Sequence, residues 1–184
     1  MGNNYFITGR MNTGKTYIIK KILEELDLSP GGFMVGRDQG EIGWSSFYLL
    51  PADVYLRKNE NKIDKIKEKG TFVWKDKNKK IQLDSKVFDN YGVELLNKRT
   101  NKDIIIMDEL GRFEFKAYDF QNKVIELIKS DKLVLGVIKL EKNNFLNRVR
   151  NLLKKEPIMV TAVNREEIYR YLLEELKRWR IKND

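Results

Sequence analysis

The feature that most constrains this chain is a glycine-bounded loop between an apolar segment and an amphipathic one. Tyr5–Thr8 form a short run of aromatic and β-branched residues, which predicts a buried strand. Gly9–Thr16 reads G-x-x-x-x-G-K-T, the pattern of a phosphate-binding loop. From Tyr17 to Leu28, apolar residues recur at helical spacing. A strand, this loop and a helix in that order are the context in which the pattern binds phosphate, whereas a chance match would be only a glycine-rich turn.

The residue types of the loop explain how it would bind a nucleotide. Gly9 and Gly14 let the backbone fold tightly, so that N–H groups point at phosphate oxygens. The helix that begins near Gly14 directs the positive end of its dipole at the same point. Lys15 can reach the β- and γ-phosphates and assist catalysis there, and the Thr16 hydroxyl can ligate Mg²⁺. We therefore expect the nucleotide to contact all eight loop residues, which are Gly9, Arg10, Met11, Asn12, Thr13, Gly14, Lys15 and Thr16.

A run of aliphatic residues that closes on two acids is the second decisive stretch. Ile104–Met107 is continuously apolar, which predicts a central parallel strand. Asp108 follows it and would hold Mg²⁺, through a water of the ion. Glu109 is then placed to accept a proton from the attacking water. In the alternative interpretation, the two acids only end a strand.

The absence of two residue types excludes several kinds of chemistry. The chain has 184 residues, among them no cysteine and no histidine. Disulfides, Cys/His zinc sites, cysteine nucleophiles and Ser-His-Asp triads are therefore excluded. No apolar run approaches the ~20 residues that span a membrane, and the first apolar run is too short for a signal peptide. We expect a cytoplasmic protein without a membrane partner.

The net charge of +9 favours contact with nucleotides, nucleic acid or an anionic surface. Lysines are spread along the chain with acids between them, so a solvated surface is the simpler interpretation. The densest stretch, Lys58–Lys69, predicts a short surface helix with Ile63 and Ile66 as its apolar anchors. A nucleic-acid contact by this stretch is the alternative.

The remaining segments predict one α/β domain over residues 1–184, without internal repeats or a long linker. Phe33–Val35 and residues 42–50 predict two strands of a hairpin, joined by a turn over residues 36–41. The other predicted strands are 71–74, 81–83, 133–138 and 158–160, and the other predicted helices are 84–96, 118–130, 143–153 and 165–180.

Four blocks of the sequence carry a family resemblance: residues 7–16, 32–33, 105–114 and 160–165. They resemble the small P-loop nucleoside-triphosphatase family first described from thermophiles. The family's D-E-I-G-x-M-E motif here reads Asp108-Glu-Leu-Gly-Arg-Phe-Glu114, and its T-x-x-N-R motif reads Thr161-Ala-Val-Asn-Arg165.

The resemblance implies a RecA-like α/β fold, with a mainly parallel central sheet flanked by helices and a β-hairpin insertion. It also implies Mg²⁺-dependent hydrolysis of nucleoside triphosphates, ATP and GTP among them, to diphosphate and phosphate. Glu114 matches the final acid of the family motif and is a candidate for ordering the water or the Glu109 loop. Gly36 and Arg37 stand where the family often has an acid.

The leading hypothesis is therefore a nucleoside triphosphatase with broad base tolerance. Charge that develops on the γ-phosphate needs cations besides Lys15, and the candidates are Arg10, Arg112, Arg148 and Arg165. Asn164 and Arg165 are also candidates for the base side of the site. One alternative is a P-loop kinase that passes the γ-phosphate to a nucleotide or nucleic-acid acceptor. The other is a nucleotide-dependent nucleic-acid-binding module, whose affinity would fall steeply with salt.

Overall fold

The chain folds around one eight-stranded sheet in a computed structural model, which describes residues 3–41, 43–57, 63–98 and 101–183. The strands are β1 (Asn3–Thr8), β2 (Pro30–Gln39), β3 (Trp44–Pro51), β4 (Thr71–Lys75), β5 (Ile81–Leu83), β6 (Ile104–Leu110), β7 (Leu133–Ile138) and β8 (Ile158–Met159). The helices are α1 (Lys15–Glu25), α2 (Ala52–Arg57), α3 (Ile63–Gly70), α4 (Val93–Asn97), α5 (Tyr118–Lys129), α6 (Asn144–Leu152) and α7 (Arg165–Asn183). A π-helical segment, Phe88–Gly92, leads directly into α4.

Five strands form the parallel part of the sheet, in the order β2-β6-β7-β1-β8. Every residue of β7 is buried, and β6 exposes only Glu109 in part. Such continuous burial is typical of parallel strands that are covered by helices on both faces. Because the carboxyl ends of these strands meet at one edge of the sheet, the loops after β1, β6 and β7 lie side by side there.

The other strands form the predicted hairpin and extend it, in the antiparallel order β2-β3-β4-β5. The predicted turn over residues 36–41 was wrong in its first four residues, because β2 continues to Gln39 and Gly36 pairs with Tyr48. A Cβ on Gly36 would lie 2.3 Å from the Tyr48 ring, so this glycine makes room for an aromatic ring. The turn lies at Gly40–Gly43, where φ of Gly43 is +72°.

Helices cover both faces of the sheet, as the sequence predicted. On one face lie α1, α2 and α7, and their buried residues include Ile18, Ile22, Ala52, Ile168 and Leu172. On the other face lie α4, α5 and α6, and their buried residues include Leu95, Phe120, Val124, Phe145 and Leu146. This three-layer arrangement confirms the RecA-like α/β P-loop fold with a hairpin insertion.

Several predicted bounds differ from those in the structure. β6 runs on to Leu110, so the two acids lie inside the strand and do not follow it. α1 begins at Lys15 with Gly14 as its cap, as predicted, but it ends at Glu25, three residues before the predicted Leu28. Of the predicted lysine-rich helix, α3 covers residues 63–70, and residues 58–62 lie outside the described residues. None of the described helices has both the length and the apolar character to cross a membrane.

Candidate active site

The loop after β1 wraps around the amino end of α1. Gly9 has φ of +144° and Gly14 has φ of +94°, backbone conformations that residues other than glycine rarely adopt. A Cβ on Gly9 would lie 2.3 Å from the carbonyl oxygen of Val160, which follows β8. The Thr13 hydroxyl donates a hydrogen bond to the carbonyl of Arg10 across 2.9 Å and closes the turn. The loop is therefore a tight backbone cradle at a helix amino end, which is a ready-made anion site.

The Lys15 ammonium is held inside this cradle. Its Nζ donates to the carbonyl oxygens of Gly9, at 3.1 Å, and Arg10, at 2.7 Å. Burial lowers the pKa of Lys15, and the neighbouring carboxylates of Glu109 and Asp108 oppose that shift. The cradle thus holds the Lys15 side chain at the place where the pattern puts the terminal phosphates.

The loop and β6 meet through the Thr16 hydroxyl, which donates to Asp108 Oδ2 across 3.3 Å. Asp108 is 4% exposed. Burial, followed by the charge of Glu109, raises the pKa of Asp108 to about 7. A hydroxyl and one carboxylate fit Mg²⁺, which binds through one or two carboxylates together with phosphates and retained waters. A bound cation would also stabilise the charged form of Asp108, which burial disfavours.

A β-bulge places Glu109 on the same side as Asp108. Neighbouring strand residues normally point to opposite faces. Here the pairing between β6 and β7 shifts at Glu109, since Asp108 pairs with Val137 and Leu110 pairs with Ile138. Both acids consequently line one cavity, and Glu109 lies 3.5 Å from the Lys139 ammonium.

This cavity has a volume of about 740 Å³ and spans the edge where the parallel strands end. The loop forms its floor through Gly9, Arg10, Met11, Asn12, Gly14, Lys15 and Thr16, and the first helical turn adds Tyr17. The walls come from the hairpin, β6 and the residues after β7, namely Val35, Arg37, Phe47, Asp108, Glu109, Arg112, Lys139, Leu140 and Glu141. The lining carries five cations and three carboxylates, a balance that suits a polyanion with a bound cation.

Glu114 is buried behind the cavity and secures the loop after β6. Both of its carboxylate oxygens accept from the Gly111 N–H, at 3.1 and 3.3 Å. Gln121 donates to the Glu114 carbonyl, and Asn143 donates to the Gly111 carbonyl. Burial raises the pKa of Glu114 to about 7. Glu114 therefore holds the segment that carries Arg112 and does not itself line the cavity.

The structure places some predicted site residues elsewhere. Arg148 is exposed on α6 and is not among the residues that line the cavity. Asn164 has a structural task, because its side chain accepts from Thr161 N–H and donates to the Met159 carbonyl just before α7. Arg165 packs against Gly14 but is not among the residues that line the cavity, and its guanidinium lies 4.8 Å from the Tyr17 ring. Thr13 lies within the loop but outside the lining.

Sequence reasoning missed the residues that reach the cavity from β2 and from the end of β7. The signal for Lys139 was its position, since it directly follows an apolar parallel strand, where ligand-binding residues gather. Arg37 was noted only as a departure from a family pattern. Its side chain reaches across from the hairpin, with Nη1 3.9 Å from the Met11 sulfur.

A RecA-like sheet with a phosphate-binding loop and an opposed acidic strand defines the class of P-loop nucleoside triphosphatases. Comparison with known proteins gives the particular family. Residues 4–173 match the model of the NTPase family. The nucleoside-triphosphatase THEP1 of Methanocaldococcus jannaschii is 35% identical over 178 residues, which cover 93% of this chain and 95% of that protein. THEP1 of Thermotoga maritima is 26% identical over 174 residues, which cover 93% and 94%. The chain belongs to this NTPase family.

Two solved structures share the fold. The crystal structure of THEP1 from Aquifex aeolicus superposes with a TM-score of 0.69 at 20% identity, covering 93% of this chain and 97% of that one. The solution structure of a human cancer-related nucleoside triphosphatase gives a TM-score of 0.70 at 17% identity, covering 96% and 98%. At these identities the likeness concerns the fold alone.

Proposed function

We propose that this member of the NTPase family hydrolyses nucleoside 5′-triphosphates to diphosphate and phosphate in the cavity above the loop, with Mg²⁺ and with Glu109 as the general base. Family membership supports hydrolysis. The observation that carries the assignment of the site is that two pairs of residues far apart in sequence, Lys15-Thr16 and Asp108-Glu109, line one cavity. The loop binds the phosphates through its N–H groups and Lys15.

Thr16 and Asp108 would hold the ion, Thr16 through its hydroxyl and Asp108 through a water. Bound there, Mg²⁺ would neutralise charge on the β- and γ-phosphate oxygens.

Glu109 orients the attacking water and takes its proton. In the reaction, the water oxygen forms a bond to the γ-phosphorus, and the bond from that phosphorus to the β,γ-bridging oxygen breaks. The electron pair leaves with the diphosphate, and the water proton passes to the Glu109 carboxylate, which later returns it to solvent. The partly exposed position of Glu109 on the cavity wall gives it access to water.

The proposal includes several further statements about the protein. Broad base tolerance is expected, as the family resemblance implies. We further propose that residues 1–184 are one domain and that the protein works in the cytoplasm, where nucleoside triphosphates are abundant. Binding of nucleic acid is not favoured.

Phosphate release with Mg²⁺ and each of ATP, GTP, CTP and UTP tests the proposal. Glu109→Gln should keep nucleotide binding and lose roughly 10²- to 10⁴-fold in turnover, the range that general bases contribute. Glu156→Gln is the matched control, because it makes the same change to an exposed carboxylate outside the cavity lining and should stay near the wild-type rate. Normal turnover by Glu109→Gln would overturn the role of Glu109. Transfer of the γ-phosphate to an acceptor, without free phosphate, would overturn hydrolysis.

A further inference from the structure

Lys139 lies where the two reactive parts of the site meet. It directly follows β7, which is paired with β1 on one side and with β6 on the other. The strand therefore places Lys139 between the phosphate-binding loop and the two acids Asp108 and Glu109. Its Nζ lies 3.5 Å from Glu109 Oε2, and both side chains are 31% exposed on the cavity wall.

The backbone and stem of Lys139 are fixed, so its ammonium is presented to the cavity from a rigid base. The Lys139 N–H donates to the Leu110 carbonyl across 2.9 Å, and the Lys139 carbonyl accepts from the Arg150 guanidinium. The stem passes beside Gly111, where an added Cβ would lie 3.1 Å from Lys139 Cδ. The ammonium also lies 5.7 Å from the centre of the Phe113 ring.

We propose that Lys139 is a further catalytic residue, whose ammonium holds the Glu109 carboxylate in the nucleotide-free protein and binds the γ-phosphate when a triphosphate enters. A partly exposed ion pair is weak enough to exchange its partner. The γ-phosphate carries more charge than one carboxylate and forms stronger charge-assisted hydrogen bonds. The exchange releases Glu109 to receive the water, and it leaves a cation beside the oxygens on which negative charge rests during transfer.

The exchange depends on the γ-phosphate, which the diphosphate product lacks. After the phosphorus–oxygen bond has broken and phosphate has left, Lys139 returns to Glu109. Lys139 should therefore distinguish triphosphate from diphosphate, whereas Lys15, held within the loop, should serve both. This inference rests on the proposed function, because it takes Glu109 as the base.

The test compares binding of a non-hydrolysable β,γ-imido triphosphate with binding of the diphosphate, in Lys139→Met, Lys139→Arg and wild type. Lys139→Met should weaken triphosphate binding about 10- to 100-fold, the value of a charge-assisted hydrogen bond, and leave diphosphate binding within about twofold. Lys139→Arg keeps the positive charge and should therefore keep most of the wild-type preference for triphosphate over diphosphate. Lys142→Met is the matched control, because Lys142 is an exposed residue three positions further along and outside the lining. It should behave as wild type.

Turnover supplies a second readout. Lys139→Met should lose roughly 10²-fold or more in kcat, as when one preorganised donor is removed. Equal weakening of triphosphate and diphosphate, or none, would overturn the proposal, as would faster turnover by Lys139→Met. The binding comparison needs no hydrolysis, so it separates this inference from the proposed function. Glu109→Gln tests the base of the proposed function, and its normal turnover would overturn the role of Glu109 while leaving the selectivity of Lys139 to be judged on binding.

Discussion

The Thr16 hydroxyl donates to the buried Asp108 carboxylate across 3.3 Å, and this contact joins the start of α1 to the end of β6. The two residues are 92 positions apart in the sequence, yet the parallel order of the sheet brings their elements to the same edge. The hydroxyl gives its hydrogen to the carboxylate, so its lone pairs stay available to ligate Mg²⁺. The contact therefore sets the distance between the loop and the acids.

Substitution at either end of this contact should raise the Mg²⁺ requirement. Asp108→Asn keeps the shape but removes the charge, so we expect the Mg²⁺ affinity at saturating nucleotide to fall roughly 10- to 100-fold, as for other groups that orient metal ligands. Thr16→Val should act in the same direction, since it removes a ligand. Titration of phosphate release with Mg²⁺ measures both. Thr16→Ser keeps the hydroxyl and should stay close to wild type; an equal loss in Thr16→Ser would argue that packing, and not the hydroxyl, matters.

The glycine that opens the loop gives a second prediction. Gly9 combines φ of +144° with a position where a Cβ would lie 2.3 Å from the Val160 carbonyl oxygen, a backbone atom that cannot move aside cheaply. Gly9→Ala should therefore separate the loop from β8 and weaken nucleotide binding more than tenfold. Gly43→Ala is the matched control, because Gly43 also has positive φ but has no described atom within 4 Å of an added Cβ.

Calorimetry with a nucleotide and thermal melting separate the two glycine variants. Gly43→Ala should cost only the conformational strain, about 1 kcal/mol, and bind nucleotide normally. If Gly9→Ala lowered the melting temperature and the affinity no more than Gly43→Ala, the close approach to β8 would be unimportant for the loop.

How far the sequence predicts this site depends on how local each feature is. The strand, loop and helix around Gly9–Thr16 were predictable, because turn chemistry and helical spacing act within a few residues. That Asp108 faces Thr16 followed from the fixed topology of the class. The bulge that brings Glu109 beside Asp108, and the ion pair with Lys139, depend on register between two strands. No local pattern encodes that register, so these features needed the structure.

The buried Glu114 carboxyl predicts a pH dependence of stability. Burial raises its pKa in the folded protein to about 7, above the ordinary 4.5. The folded state therefore binds this proton more tightly than the unfolded state, so the contribution to stability is fully present below pH 4.5 and is lost as pH rises to about 7. Glu114→Gln has no proton to lose and can still accept from the Gly111 N–H. Its melting temperature relative to wild type should rise between pH 5 and pH 8, by on the order of 5 °C.

Thermal melting at several pH values tests this prediction. Glu156→Gln serves as the control, since Glu156 is an exposed carboxylate in the loop before β8, and its melting curve should follow that of wild type. Parallel curves for wild type and Glu114→Gln from pH 5 to pH 8 would show that Glu114 is ionised in the folded protein over that whole range.

The arginines of the cavity provide the last prediction. Arg112 follows β6 and lines the same cavity as Glu109, whereas Arg148 is exposed on α6 outside the lining. Cations that touch the transferring phosphate contribute about 10³- to 10⁵-fold to turnover when they act as arginine fingers. We expect Arg112→Ala to lower kcat roughly tenfold or more, since the charge is shared with Lys15 and Lys139, and Arg148→Ala to leave it unchanged. Single-turnover phosphate release measures this effect on the chemical step. An equal loss in both variants would mean that the lining of the 740 Å³ cavity, which does not include Arg148, fails to identify the arginines that act on the phosphate.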